Sequence, residues 1–423
     1  MKKWLAAAFF LILGGSALGS ETGDVIVAAA YDGSLVTEGP TFATQCESGE
    51  QEACFGAGLA TLVDTYQDLS QALYRHGASV PHNSAAALIF GLGGDGVSPP
   101  PANPAPEALS YAGLRAILED AVAGLDRARA YFEAAGEGGD YVILLDPLQA
   151  RLDLDGDGTV GQAETLGPFF SELLVLSGAG DPSQKQKAKG VAAASAAGIG
   201  FDRADALWFA GYTQIVAAPL DWLLAHDFSA FYTAYLHRVF PRAGLPMGGH
   251  AEGGTLFLGA SDDAGIADMI AAIHTLRFPV DDRARLAGVL DRLKTIPAFS
   301  RRNWEAILAE TDDNRELVPA PHQTSLVGGQ QVTQEVVDAW LATLDVADSI
   351  LAGDLLLPHW RFEQGFDLKA YFTETTETDL VLLLTGSAAL PYLRDGPVAD
   401  ADSFAAGNRV FGDNWPNFVL WFN

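Results

Sequence analysis

The stretch "CFGAGLATLVDTYQDLSQALYRHG" (residues 54–77) carries Phe55, Leu59, Leu62, Val63, Tyr66, Leu69 and Leu73 at steps of three and four. A helix advances about 100° per residue, so this spacing gathers the seven side chains on one stripe; a strand would need alternation. Gly77 stands where a helix end takes up left-handed backbone. The pattern returns in "SYAGLRAILEDAVAGLDRARAYFEAAG" (110–136), through Leu114, Ile117, Leu118, Ala121, Val122, Leu125 and Phe132, and stops at Gly136. Between the two, "GVSPPPANPAPEA" (96–108) is too rich in proline to be helix and reads as a connector or a domain seam.

Working outward, residues 201–240 read as two helices, with Pro219 expected to kink or break the first. Amphipathic helices are expected over 281–296 and over 333–353, the second starting near Thr333 and Glu335 and ending before Gly353. Strand signals are few and late: "LVLLLT" (380–385) and "FVLWF" (418–422). No fixed-period repeat is present. The class is therefore mainly α, an irregular multi-helix domain with a small β element towards the C-terminus.

The chain opens "MKKWLAAAFFLILGGSALGS". Two lysines, a short apolar run and small residues up to Gly19 have the layout of a secretory signal peptide, which predicts a mature chain from about Ser20, periplasmic or secreted. The apolar run falls well short of the roughly 20 residues needed to cross a bilayer, and no later segment reads as a span. Removing Lys2 and Lys3 with the leader takes the formal net charge from −29 to −31. Such a surface repels phosphate backbones and argues against nucleic-acid binding; it suits a cation, and it also serves solubility. Only Cys46 and Cys54 are present, a short loop apart. In an exported chain they predict a disulfide.

One segment departs from helical patterning. "RLDLDGDGTVGQAE" (151–164) places Asp153, Asp155 and Asp157 at alternate positions, then Gly158, Val160 and Glu164. Counted from Asp153, the acids stand first, third and fifth, glycine sixth and glutamate twelfth, which satisfies D-x-[DN]-x-[DN]-G-x5-E. The segment resembles the loop of the EF-hand calcium-binding family. The resemblance implies one Ca2+ held by side-chain oxygens of Asp153, Asp155 and Asp157, the backbone carbonyl of Thr159 and both oxygens of Glu164, with water at the Gly161 position. It covers an EF-hand-like segment of residues 148–176, with a helix expected from "QAETLGPFFSELLVL" (162–176). Pro147 leaves room for barely one turn of incoming helix, and no second loop has the spacing: "GASDDAGIAD" (259–268) and "ETDDNRE" (310–316) carry acid in the wrong register. A lone loop points to a structural ion more than to a sensor.

"DGDGTV" (155–160) also resembles the nucleophile motif of haloacid-dehalogenase-like phosphatases, with Asp155 as nucleophile and Asp157 as acid; this is the alternative, a periplasmic hydrolase of unassigned substrate. That motif needs a buried parallel strand before it, and "PLQARLDL" carries a proline, a glutamine and an arginine there. Asp202 and Asp205 share a helix face with Trp208 and Tyr212, a pattern that lines a sugar or cation pocket or, more simply, caps a helix beside core aromatics. His226 and His359 are set among aromatics and read as packed residues, and "QKQKAK" (184–189) reads as a solvated face.

Overall fold

A computed structural model of the chain describes residues 20–79, 103–161, 164–165, 198–251, 254–325, 331–412 and 415–422. The sequence readings at 1–19, 96–102 and 184–189, and for the helix beyond Thr165, lie outside these residues. In chain order the helices are α1 (Glu21–Asp32), α2 (Leu35–Glu47), α3 (Gln51–Arg75), α4 (Tyr111–Gly136), α5 (Arg203–Leu224), α6 (Ser229–Ala234), α7 (Ala260–Thr275), α8 (Arg283–Ala309) and α9 (Gln334–Ala352). The shorter α10 (Leu368–Glu374), α11 (Leu380–Thr385), α12 (Ala405–Phe411) and α13 (Trp415–Phe422) follow. The molecule is mainly helical, with a few two-stranded sheets.

The helix ends are set by local chemistry. Ser20, Ser110, Asp282 and Thr333 each accept a first-turn N–H of the helix that follows, satisfying donors that would otherwise be orphaned. Asp202 and Asp205 form a reciprocal capping box at the head of α5. Gly77 and Gly353 take φ of 67° and 80° just past α3 and α9.

Proline does not end the long helices. α5 runs unbroken across Pro219, and α8 runs past 296 across Pro297 to Ala309. An interior proline costs a helix about 3 kcal/mol. Burying Leu224 beyond the first, and Phe299, Trp304 and Ile307 beyond the second, returns roughly 1.5–3 kcal/mol per large side chain.

The late strands expected from sequence are helices. "LVLLLT" is α11, started by Asp379, whose carboxylate accepts the Leu382 N–H, and closed by Gly386 at φ 115°. "FVLWF" belongs to α13, where Phe418 and Phe422 are one turn apart with ring centroids at 5.3 Å. The true strands are two or three residues long: β1 (Ile143–Leu145), β2 (Ile199–Phe201), β3 (Arg277–Pro279), β4 (Gly365–Phe366), β5 (Glu377–Asp379) and β6 (Leu393–Arg394). They pair antiparallel as β1–β2, β3–β5 and β4–β6, so a small β element does lie near the C-terminus, made of other residues.

The largest core lies among α1 to α5, the C-terminal half of α8, the N-terminal half of α9, and α13. At its centre Phe55 meets Phe132, Phe201 and Phe209 at 5.8, 6.1 and 6.0 Å. Smaller cores surround Phe228, Tyr232 and Phe278, and Leu286, Phe366 and Tyr371. Cys46 and Cys54 are joined in a disulfide, Cα atoms 4.5 Å apart, across the turn from α2 to α3. Among the described residues no helix is long and apolar enough to cross a membrane.

Candidate metal centre

The acidic loop is held in place by its neighbours. Downstream of β1, Pro147–Gln149 makes a single 3-10 turn where an EF-hand would bring in a helix. The Arg151 N–H then donates to Ala30 O in α1 at 2.9 Å, and Arg151 forms an antiparallel bridge with Thr165. The loop's neck is thus closed by paired backbone, with the Leu152 N–H donating to Glu164 O at 3.0 Å. One face of α3 grips the loop backbone. Gln67 Oε1 accepts the Asp153 N–H at 3.1 Å, Gln71 Nε2 donates to Asp153 O at 2.7 Å, and Ser70 Oγ donates to Leu154 O at 3.0 Å. Those three side chains sit three and four residues apart, which puts them on one helix face.

Inside the loop the carboxylates turn inward. Asp153 accepts from Gly156 N at 2.8 Å and Gly158 N at 3.1 Å; both glycines take left-handed φ, 78° and 79°. Glu164 turns the same way: Oε1 accepts the Leu154 N–H at 2.8 Å and Oε2 the Gly161 N–H at 2.7 Å. Ligand oxygens of Asp153, Asp155 and Glu164 lie within 4.8 Å of one another. Asp157 is not brought into this group. It accepts from the Thr159 N–H at 2.7 Å and hydroxyl at 2.6 Å, and those bonds hold its acid below the ordinary range. Among the described residues Val160 meets no second loop; it packs on the left-handed Gly33 at the end of α1, where an added Cβ would come within 2.8 Å of Val160 Cγ2.

The donor set fits a hard divalent cation. Its side-chain donors are all oxygens, and a carboxylate oxygen accepting one N–H keeps a second lone pair for a metal. The phosphatase frame fares worse: what precedes Asp155 is a 3-10 turn and an isolated antiparallel bridge, not a parallel strand.

A second acidic group escaped the sequence reading. Carboxylate oxygens of Asp202, Glu310 and Glu316 also lie within 4.8 Å of one another, joining the head of α5 to the loop after α8. Glu316 is buried and accepts the Asn314 N–H at 2.9 Å, and Gln323 Nε2 donates to Glu310 Oε2 at 2.8 Å. Glu310 Oε1 is buried without a hydrogen-bond partner among the described residues. Burial first, and the charge of Asp202 second, push Glu310 up to about 9 and Glu316 up to about 8. Burial also raises Asp202, and raises the enclosed Asp205 well above the carboxylate range.

The other candidates settle into packing. Trp208 packs against Tyr212, the rings tilted at 38° with centroids 4.1 Å apart, and donates to Trp421 O at 2.9 Å, so the face beside the capping aspartates is occupied by core aromatics. His226 is wholly buried, bonded through Nδ1 to Trp222 O at 2.6 Å and through Nε2 to Thr378 Oγ1 at 2.8 Å. His359 stacks on Trp360 and bonds Leu383 O at 3.2 Å. A cleft of ≈ 170 Å³ beside the acidic loop is lined by Gln71, Tyr74, Arg75, Asn103, Asp155 and Gly156. No family model, curated protein or solved structure matches this chain.

Proposed function

We propose that this is an exported protein in which one Ca2+, bound by Asp153, Asp155, Asp157, the Thr159 carbonyl and Glu164, has a structural role. The observation that carries the reading is the convergence of Asp153, Asp155 and Glu164 on a loop whose backbone is bonded to α3. Like charges at that spacing repel by several kcal/mol in a weakly screened site. A divalent ion between them reverses the sign of that term. Because Gln67, Ser70 and Gln71 fix the loop to α3, and Arg151 fixes it to α1, ion binding adds to the stability of the main core rather than to a detached turn. Among the described residues Val160 packs on Gly33 and not on a second loop of this kind, which favours a structural ion over a switch.

The test is thermal melting and calorimetry of the mature protein with and without calcium. Extracellular sites of this type bind on the order of 10⁻⁴–10⁻³ M. At one hundred times Kd the ion stabilises by about 2.7 kcal/mol, a shift that melting detects. Glu164→Ala is expected to abolish both the heat and the shift. A full calcium shift in Glu164→Ala, or no heat at millimolar calcium in the intact protein, defeats the reading. The hydrolase alternative gains no support from the segment before Asp155.

A further inference from the structure

Glu52, at the start of α3, is only 8 % exposed, and its Oε1 is buried with no hydrogen-bond partner among the described residues. Its other oxygen accepts the hydroxyl of Ser20. The approach is close enough to need Gly23, where an added Cβ would fall 2.7 Å from Oε1. Among the described residues, the charged groups acting on Glu52 are Glu50 and Asp24, both acids, and none of their ion pairs involves Glu52. Glu50 itself accepts the Thr22 hydroxyl at 2.6 Å. Burial pushes the Glu52 acid up; a buried carboxyl with one oxygen unsatisfied, among like charges, either holds a proton or stays ionised at a cost that a positive group reaching it would offset.

Ser20 is also the residue before which the leader is expected to be cut. Removal of residues 1–19 would convert the Ser20 amide into an α-ammonium group, three bonds from the hydroxyl that already touches Glu52. We infer that Glu52 is the built-in receptor for the new N-terminus: processing between Gly19 and Ser20 creates the cation that pairs with it. Hydrolysis of that peptide bond consumes one water and leaves the amine protonated at neutral pH. Glu21, Asp24 and Glu50 add to the negative surroundings and offset the unfavourable placement of a cation at the head of α1. Ser20 keeps its capping bond to the Gly23 N–H at 2.9 Å, so helix start and chain start coincide.

The inference rests on the export reading and not on the calcium site, so its test is run in chelator. Intact mass of the exported protein fixes its first residue; a start other than Ser20 overturns both the cut site and the pairing. For a chain that starts at Ser20, melting is compared with the same chain retaining Gly19, each with and without Glu52→Gln. Retention of Gly19 should lower Tm in the Glu52 background and have no further effect in the Glu52→Gln background. Additive losses, or no loss from Gly19, overturn the pairing while leaving the cut site standing. Should Glu52→Gln not fold, amine acylation at neutral pH still decides the matter. An opposite charge within contact raises an α-amine by at least about one unit, so the Ser20 amine should react roughly tenfold or more slowly than that of the Gly19-retaining chain. Equal rates sink the idea.

Discussion

Glu310 and Glu316 keep their protons through the neutral range because burial and Asp202 both disfavour a further negative charge. Their folded values, about 9 and about 8, stand above the ordinary 4.5, so over that interval the folded chain binds more protons than the unfolded one. Stability then falls as pH rises, and these two groups contribute fully only below about pH 4.5. His226 runs the other way: burial lowers it below 6.5, so its contribution is present above that value and is lost on acidification. The urea midpoint of calcium-free protein should therefore decline between about pH 6.5 and 9, and Glu310→Gln or Glu316→Gln should flatten the decline. A midpoint that rises over that range means that the acids are ionised in the folded state. Sequence gives half of this site. Asp202 is legible as a cap from its position before an apolar helical run, but its approach to Glu310 spans more than one hundred residues of chain and leaves no local periodicity to read.

At the scale of elements, α3 and α4 approach each other closely through two glycines. A Cβ on Gly58 would come within 2.7 Å of Phe132, and one on Gly124 within 2.2 Å of Thr65 Oγ1. Thr65 is itself tied to its own helix by a bond from Oγ1 to Thr61 O, so it has little freedom to swing aside. Gly124→Ala would normally favour a helix by up to about 1 kcal/mol, whereas overpacking costs typically 1–3 kcal/mol. Overpacking is expected to win, with net destabilisation in chemical denaturation and most of the loss recovered by Thr65→Ala in the same chain. A stabilised Gly124→Ala would mean that the helices separate freely. This is also where the sequence reading divides. Long helices were legible because each spans many turns of a three-to-four repeat, ending at capping residues such as Ser110, Thr333 and Gly353. "LVLLLT" and "FVLWF" were not, since a run of five or six apolar residues has no period to tell strand from helix. The Asp379 cap and the one-turn spacing of Phe418 and Phe422 decide them in three dimensions.

Across the whole molecule the governing quantity is a formal net charge of −29, against which arginines of several helices pair with acids. Arg292 is the best placed of these, bonded to Asp126 of α4 at 2.7 Å and Asp221 of α5 at 2.6 Å from its position on α8. Most other acids lie at the surface, and their mutual repulsion works against the compact state. Any salt relieves that repulsion, so calcium must be separated from its role as a counterion. The Debye length falls from about 30 Å at 0.01 M salt to about 10 Å at 0.1 M, which removes most long-range repulsion but screens clustered carboxylates at contact much less. Sodium chloride should therefore raise Tm gradually and level off, equally in the intact protein and in Glu164→Ala. Millimolar calcium added on that plateau changes ionic strength little. It should raise Tm again in the intact protein, while Glu164→Ala should not respond. If the plateau absorbs the calcium effect, the acidic loop is one more patch of negative surface, and the convergence of Asp153, Asp155 and Glu164 has no ion of its own.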